Sequence, residues 1–186
     1  QTLTVRPNLD KYIRIEIFKS LAEDYECIGN FSKAKKEAES ILKIDKQNEW
    51  AVNFLLKISE LIEDWDSATE KFVQLQKINN HQDFNQLAKY LVYKGKNEIK
   101  NGDLHNAELL FNKAIKKVPE FGLPYKYLGD LKMINRDLIN AIKLWEKFIA
   151  LSPGKSYLVF DDMEAALFDL GRYSEVEKFY RRIIDV

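Results

Sequence analysis

The residue types that most often carry chemistry are few in this sequence and lack the spacing that chemistry requires. The two histidines, His81 and His105, have no second ligand at a spacing suited to zinc. Cys27 is the single cysteine, which excludes an intrachain disulfide and a cysteine-based metal site. No histidine is positioned beside it to activate the thiol. We interpret the histidines as surface or capping residues and Cys27 as a half-buried structural thiol.

Three short motifs resemble catalytic or nucleotide-binding sequences without meeting their requirements. Lys94-Gly95-Lys96 is not a phosphate-binding loop, because the upstream glycine and the following serine or threonine are missing. The acidic pairs Glu63-Asp64 and Asp161-Asp162 fall at predicted helix edges, whereas paired catalytic carboxylates belong in a pocket. The sequence therefore predicts a protein that is not an enzyme, with no catalytic, cofactor-binding or metal-binding residue.

Composition narrows the partners that this chain could have. Its 186 residues fit one domain, and 29 Lys and Arg balance 29 Asp and Glu. A net charge of zero gives no overall field that would favour nucleic acid or an anionic membrane. No apolar run approaches the length of about 18 residues that indicates a membrane span. We expect a soluble, cytoplasmic segment that contacts neither nucleic acid nor the membrane itself.

A repeated pattern shows which elements must position any functional residue. Ala107 is followed by Phe111 and Ala114, at offsets of four and seven residues. The same slots recur around Ala34, Ala68, Ala141 and Val176, which gives intervals of 34, 39, 34 and 35 residues along the chain. Offsets of four and seven lie on one face of a helix. A period near 34 residues is typical of a solenoid built from helix–turn–helix units.

Glycines mark the turn within three of the five units. Gly29, Gly102 and Gly171 each precede the repeated small residue by five positions, where the first helix of a pair must end. Glycine accepts the left-handed conformation of a helix C-cap. Asn101-Gly102 could also indicate a β-hairpin, but neither flank alternates apolar and polar residues.

The repeats predict one domain over residues 1–186. Its five units are expected at about residues 10–48, 49–83, 84–121, 122–155 and 156–186. Residues 1–9 read as a lead-in, with Pro7, Asn8 and Asp10 as signals of a helix start. The five additional residues between the second and third units lie within residues 79–84 or form an extra helical turn. Because the chain begins at Gln1 and ends at Val186 without a capping helix, we expect a piece of a longer protein.

The pattern of these units resembles the tetratricopeptide repeat. The residues that carry the resemblance are Tyr125, Leu128-Gly129, Ala141, Trp145 and Pro153 in the fourth unit, and Gly95, Gly102-Asp103, Ala107, Phe111, Ala114 and Pro119 in the third. Leu56 and Glu164 replace the helix glycine in the second and fifth units. The resemblance implies an all-α, right-handed α-solenoid of about five repeats that works by binding protein.

A narrower resemblance involves five stretches in order. They are QTLTVRPNLD, LAEDYECIGNFSKA, EDWDSA, LAKYLVYKGKNEIKNGDLHNAELLFNKAI and LGDLKMINRDLINAIKLWEKF. They look like the lipopolysaccharide assembly protein B family, which implies the cytoplasmic part of an adaptor anchored in the bacterial inner membrane. In that family the repeats bring the deacetylase of lipid A synthesis to a membrane protease. The family's membrane anchor and four-cysteine module are absent from this sequence.

The first helix of each unit should line a concave groove. The inward rows are Glu16, Lys19 and Glu23; Trp50, Asn53 and Lys57; Lys89, Val92 and Lys96; Leu123, Lys126 and Asp130; and Leu158, Asp161 and Ala165. The predicted peptide-groove residues are Trp50, Asn53, Lys57, Lys89, Lys96, Lys100 and Lys126. Their lysines would steer an acidic segment, and Trp50 would supply a rigid apolar contact. The alternative is that the lysines are merely solvated and Trp50 packs between repeats.

Other protein-binding roles remain open from the sequence. The chain could be a generic scaffold in another bacterial complex, or the recruiting arm of an enzyme whose catalytic domain is absent. A chaperone-tail adaptor is disfavoured, because no unit has the required lysine–asparagine pair and Glu23 would repel a carboxylate. An uncapped fifth repeat could also pair two copies of the chain as a dimer.

Overall fold

Helices account for 82% of the residues that the structure describes, and the fold is all-α as the repeat pattern predicts. The computed structural model describes residues 9–184, and side chains over residues 9–181. Its α-helices are α1 (Lys11–Cys27), α2 (Phe31–Ile44), α3 (Glu49–Leu61), α4 (Trp65–Ile78), α5 (Phe84–Lys100), α6 (Leu104–Lys117), α7 (Leu123–Ile134), α8 (Leu138–Leu151), α9 (Phe160–Asp169) and α10 (Tyr173–Ile184). A 3₁₀ helix, Pro153–Val159, precedes α9. The lead-in signals Pro7 and Asn8, and the chain end at Val186, lie outside the described residues.

Consecutive helices form pairs that share one turn design. Three residues separate the helices of every pair, and the middle one has a positive φ. The predicted left-handed conformation is confirmed at Gly29, Gly102 and Gly171, with φ of 72°, 84° and 68°. Glu63 and Arg136 take the same place with φ of 57° and 59°. The turn is therefore retained where the glycine signal is missing.

The residue after the positive φ starts the second helix in several pairs. Asn30, Asp64 and Asp103 each accept a hydrogen bond from a backbone N–H three residues ahead, at 3.2, 3.1 and 2.9 Å. Such N-caps satisfy donors that the first helical turn leaves free. Hydrogen bonding from Ser67 holds the pKa of Asp64 below its ordinary value, with help from the amine of Lys35. Asp64 thus has a capping role, as expected of a helix-edge carboxylate.

The long interval between the second and third units is explained by a longer helix. The segment between α4 and α5 has five residues, as does the segment between α6 and α7. In contrast, α5 contains 17 residues, whereas α3 and α7, also first helices of their pairs, contain 13 and 12. The added residues therefore extend α5 by about one helical turn.

The chain divides between Asp83 and Phe84 into two compact units, called unit 1 and unit 2 below. A buried cluster in unit 1 joins α1, α2 and α3 through Ala22, Ala34, Ala38, Phe54, Leu55 and Ile58. Two clusters form the core of unit 2, and they contain the fully buried Phe111 and Trp145. In unit 1, Trp65 and Phe72 of α4 are half-buried.

Glycine on the first helix of a pair makes room for an aromatic ring from the second. A Cβ on Gly95 would overlap the ring of Phe111, with Cζ only 2.8 Å away. A Cβ on Gly129 would similarly overlap Trp145, with Cε2 at 2.9 Å. These two helix pairs therefore approach more closely than any side chain at Gly95 or Gly129 would permit.

In the fifth helix pair, a hydrogen bond replaces the contact between glycine and an aromatic ring. Glu164 stands where the third and fourth pairs have glycine, and its carboxylate accepts a hydrogen bond from the Tyr180 hydroxyl at 2.8 Å. That bond, together with burial, raises the pKa of Tyr180 to about 12. Glu164 departs from the repeat pattern, and Tyr180, which faces it, provides a hydroxyl group that binds its carboxylate.

Candidate functional site

Two of the predicted groove lysines converge on one aromatic ring in unit 2. The Nζ atoms of Lys96 on α5 and Lys126 on α7 lie 5.7 and 5.0 Å from the centroid of Tyr127. Phe111 from α6 stacks on the same ring, with centroids 5.5 Å apart and planes inclined by 18°. We call these four residues the unit 2 cluster. A lysine within about 6 Å of a ring is in the range of a cation–π interaction.

Close helix packing holds this cluster in place. Gly95, directly before Lys96, lets the buried Phe111 ring approach α5. Phe111 then supports Tyr127, which is half-buried and lies next to Lys126. Sequence reasoning missed Tyr127. A usable signal was its position one helical turn after Leu123, a member of the predicted inward row.

A half-buried ion pair continues the same surface along α7. Lys126 Nζ lies 2.6 Å from Asp130 Oδ2, while the Trp145 indole N–H donates to Asp130 Oδ1 at 3.1 Å. Burial raises the pKa of Asp130 above its ordinary value, and the negative charge of Asp162 adds to this. The hydrogen bonds from Lys126 and Trp145 act in the opposite direction. Lys126 is therefore partly neutralised within its own helix.

Unit 1 contains a smaller arrangement of the same kind. Lys19 Nζ from α1 lies 5.4 Å from the ring centroid of Trp50 on α3. Trp50 stacks on Phe54, with centroids 4.9 Å apart and planes inclined by 20°. We call these three residues the unit 1 cluster. Trp50 is half-buried, so it retains surface that a partner could contact.

The other predicted groove residues differ in their surroundings. Asn53 and Lys89 are exposed, as is Lys100 at the end of α5. Lys57 forms an ion pair with Glu26 of α1, so its charge is already balanced. Val92 was placed in the inward row but is buried in the core of unit 2, so that prediction is wrong. Its apolar side chain packs with the other buried residues of that core.

Residues first considered for chemistry lie mainly on the surface. His81 and His105 are exposed, which agrees with their interpretation as surface residues. Cys27 is also exposed, so its interpretation as a half-buried thiol is wrong. It is the last residue of α1, five residues after the buried Ala22. Across residues 9–181, no three His, Cys, Asp or Glu side chains are grouped to hold a metal ion.

None of the helices within residues 9–184 combines the length and hydropathy needed to cross a bilayer.

The paired helices, their common turn and the glycine–aromatic contacts define an all-α protein similar to tetratricopeptide solenoids. The crystal structure of MamA aligns with a TM-score of 0.59 at 19% identity, covering 92% of this chain and 91% of that one. PilF of Pseudomonas aeruginosa gives 0.52 at 17% identity, covering 94% and 77%. BtubC from P. vanneervenii gives 0.56 at 16% identity, covering 92% and 78%.

These similarities establish the fold alone, because all three identities are low. MamA and PilF contain tetratricopeptide repeats, which agrees with the repeat pattern of this chain. No protein-family model matches the sequence, and no curated protein matches it. The resemblance to the lipopolysaccharide assembly protein B family is not confirmed by these comparisons.

Proposed function

We propose that this chain is a protein-binding scaffold whose unit 2 holds an acidic segment of a partner against α5 and α7. The observation that carries the proposal is the convergence of Lys96 and Lys126 on Tyr127. Positive charges attract carboxylates and steer their approach. A rigid aromatic ring beside them gives an apolar side chain of the partner a surface to contact.

The charge along α5 favours an extended acidic partner. Lys89 and Lys96 are seven residues apart, so they lie on one face of the helix at a rise of about 10 Å. About three residues of an extended peptide cover that distance. Because Lys126 is paired with Asp130, we expect Lys89 and Lys96 to contribute more of the attraction.

Unit 1 offers a separate contact for a protein partner. Trp50 has exposed surface on α3, and Asn53 is exposed one turn further along. We propose that Trp50 receives an aliphatic or aromatic side chain and that Asn53 hydrogen-bonds the partner's backbone. Lys57 contributes little to recognition in this proposal, because Glu26 already balances its charge.

Charge reversal on α5 tests the proposal. The probe is a fluorescein-labelled peptide of glutamates around a single phenylalanine, and fluorescence anisotropy measures its affinity. Lys89→Glu with Lys96→Glu should weaken binding about tenfold or more, which corresponds to at least about 1.4 kcal/mol. Lys143→Glu with Lys147→Glu is the matched control, because it makes the same charge change on exposed positions of α8.

Two results would contradict the proposed surface. One is equal binding by the wild type and the α5 double variant. The other is an equal loss in both double variants, which would show a response to net charge alone. Circular dichroism of each variant confirms that the helices are retained before affinities are compared.

The adaptor role in lipopolysaccharide synthesis is a finer proposal that depends on sequence resemblance alone. It predicts that the chain binds the deacetylase of lipid A synthesis, and that the α5 double variant binds it more weakly. A purified deacetylase that does not bind would remove this role and leave the general scaffold proposal intact. A cytoplasmic location belongs to the same finer proposal.

A further inference from the structure

The first helix has an apolar surface that the core of unit 1 does not use. Tyr12 and Ile13 are 77% and 53% exposed, and with Ile17 and Leu21 they line an open depression of about 490 Å³ on α1. Ile13, Ile17 and Leu21 follow one another at four-residue spacing, so they form a stripe along the helix. Ala22, on the opposite side of α1, is fully buried. We call Tyr12, Ile13, Ile17 and Leu21 the α1 stripe.

One edge of the α1 stripe is acidic overall, because Glu16 and Glu23 flank Lys19, whose amine lies over the Trp50 ring. Glu16 lines the same depression, and Glu23 lies seven residues further along α1, on the same side. Both side chains are exposed. A helix that packs its apolar residues onto the stripe would bring one of its own edges beside these carboxylates. Basic residues seven apart on that edge would match the spacing of Glu16 and Glu23.

We propose that the α1 stripe docks an amphipathic helix of a partner protein, with lysine or arginine along the edge that faces Glu16 and Glu23. This surface is distinct from the one proposed on unit 2, and it selects the opposite charge. Exposed apolar patches rimmed by polar residues are typical of such sites.

A second copy of this chain fits the surface less well. Antiparallel two-fold pairing of two α1 helices, centred on the stripe, would bring Glu16 of one copy beside Glu16 of the other. Two negative charges side by side repel each other and oppose association of the two copies. A basic helix instead places opposite charges along the acidic edge while covering the same apolar residues.

The test uses two synthetic helical peptides in fluorescence anisotropy titrations. Both carry leucines along one face, and they differ only in having lysines or glutamates seven apart along one edge. The wild-type chain should prefer the lysine peptide. Ile13→Asp should weaken its binding about tenfold, because a charge then occupies the apolar contact. Ile139→Asp is the matched control, since Ile139 on α8 is 54% exposed and lies outside the stripe.

Charge reversal along the edge distinguishes charge-specific recognition from nonspecific association of apolar surfaces. Glu16→Lys with Glu23→Lys should transfer the preference from the lysine peptide to the glutamate peptide. The proposal is overturned if the preference stays unchanged, if Ile13→Asp binds like the wild type, or if the wild type binds neither peptide. It is also overturned if sedimentation shows a dimer that Ile13→Asp dissociates, because a second copy would then cover the stripe.

Discussion

The unit 1 and unit 2 clusters combine lysine and stacked aromatic rings in different ways. In unit 1, Trp50 stacks on Phe54 from its own helix, one turn away. In unit 2, Tyr127 of α7 stacks on Phe111 of α6, which in turn packs on α5. Local helical spacing is therefore sufficient for the aromatic stack of unit 1, to which α1 adds Lys19, whereas the unit 2 cluster depends on the packing of three helices.

The charges around the two clusters also differ. In unit 1, Glu26 balances Lys57, and the exposed Glu16 and Glu23 lie further along α1. In unit 2, Lys126 has Asp130 as its partner, while α5 also carries the exposed Lys89 and Lys100. We therefore expect similar cation–aromatic contacts to select different partners in the two units, because the surrounding charges differ.

The largest expected effect comes from breaking the support of the unit 2 cluster. Gly95→Ala puts a methyl group into the Phe111 ring, which must move away from α5. Overpacking of a core costs about 1–3 kcal/mol, and the helix propensity gained by alanine offsets up to about 1 kcal/mol of that. We expect unfolding in urea to show a net loss of about 1–2 kcal/mol.

Gly154→Ala is the control for that substitution. No atom lies within 4 Å of a Cβ built on Gly154, and its φ is not positive. Its stability should stay within about 0.5 kcal/mol of the wild type. Equal stability of the Gly95→Ala protein would show that the Gly95–Phe111 contact does not hold the cluster together.

A smaller expected effect is a difference in peptide affinity between a variant of Lys96 in unit 2 and a variant of Lys57 in unit 1. Lys96→Gln should weaken the acidic peptide about fivefold, whereas Lys57→Gln should change its affinity less than about twofold because Glu26 already balances that lysine. Anisotropy titrations at low and high salt provide the measurement, and added salt should reduce the Lys96 effect. Equal losses in the two variants would remove the distinction between the units.

The smallest expected effect is a shift in the titration of Asp130. Its pKa is raised, mainly by burial, and the Trp145 N–H stabilises the charged form. Trp145→Phe should therefore raise the pKa of Asp130 further, as measured by carboxyl ¹³C chemical shifts. A fall in that pKa would contradict the assigned hydrogen bond.

The stability consequence of this titration has a defined sign. A carboxyl with a raised native pKa favours folding most when it is protonated, below the pKa of the unfolded chain. For Asp130, this contribution to folding stability is lost as the pH rises from the pKa of an ordinary aspartate through the raised pKa of Asp130 in the folded protein.

The fold was predictable from sequence because its main signals are periodic. The recurring small residues gave the helix pairs, and Gly29, Gly102 and Gly171 indicated three of the turns. Glu63 and Arg136 take the same turn conformation, which side-chain identity alone does not indicate. Their position between two helices, at the interval of the repeat, was the remaining signal.

The candidate site was less predictable because tertiary contacts decide which polar groups remain available. Counting along the helices identified Lys96 and Lys126 but not Tyr127, whose stacking partner comes from another helix. The pairing of Lys57 with Glu26 also joins two helices. Counting along the helix also placed Val92 on the surface of the groove, whereas it is buried in the core.

The most direct test of the account is to map the acidic peptide onto the chain by amide chemical shifts in ¹⁵N-labelled protein. Binding through the first helices of unit 2 predicts the largest shifts at Lys89, Lys96, Lys126 and Tyr127. Exposed positions on the second helices, such as Lys113 and Lys143, should stay nearly unchanged. Shifts concentrated on α6 and α8, or no saturable shift, would contradict the claim that unit 2 binds protein through α5 and α7.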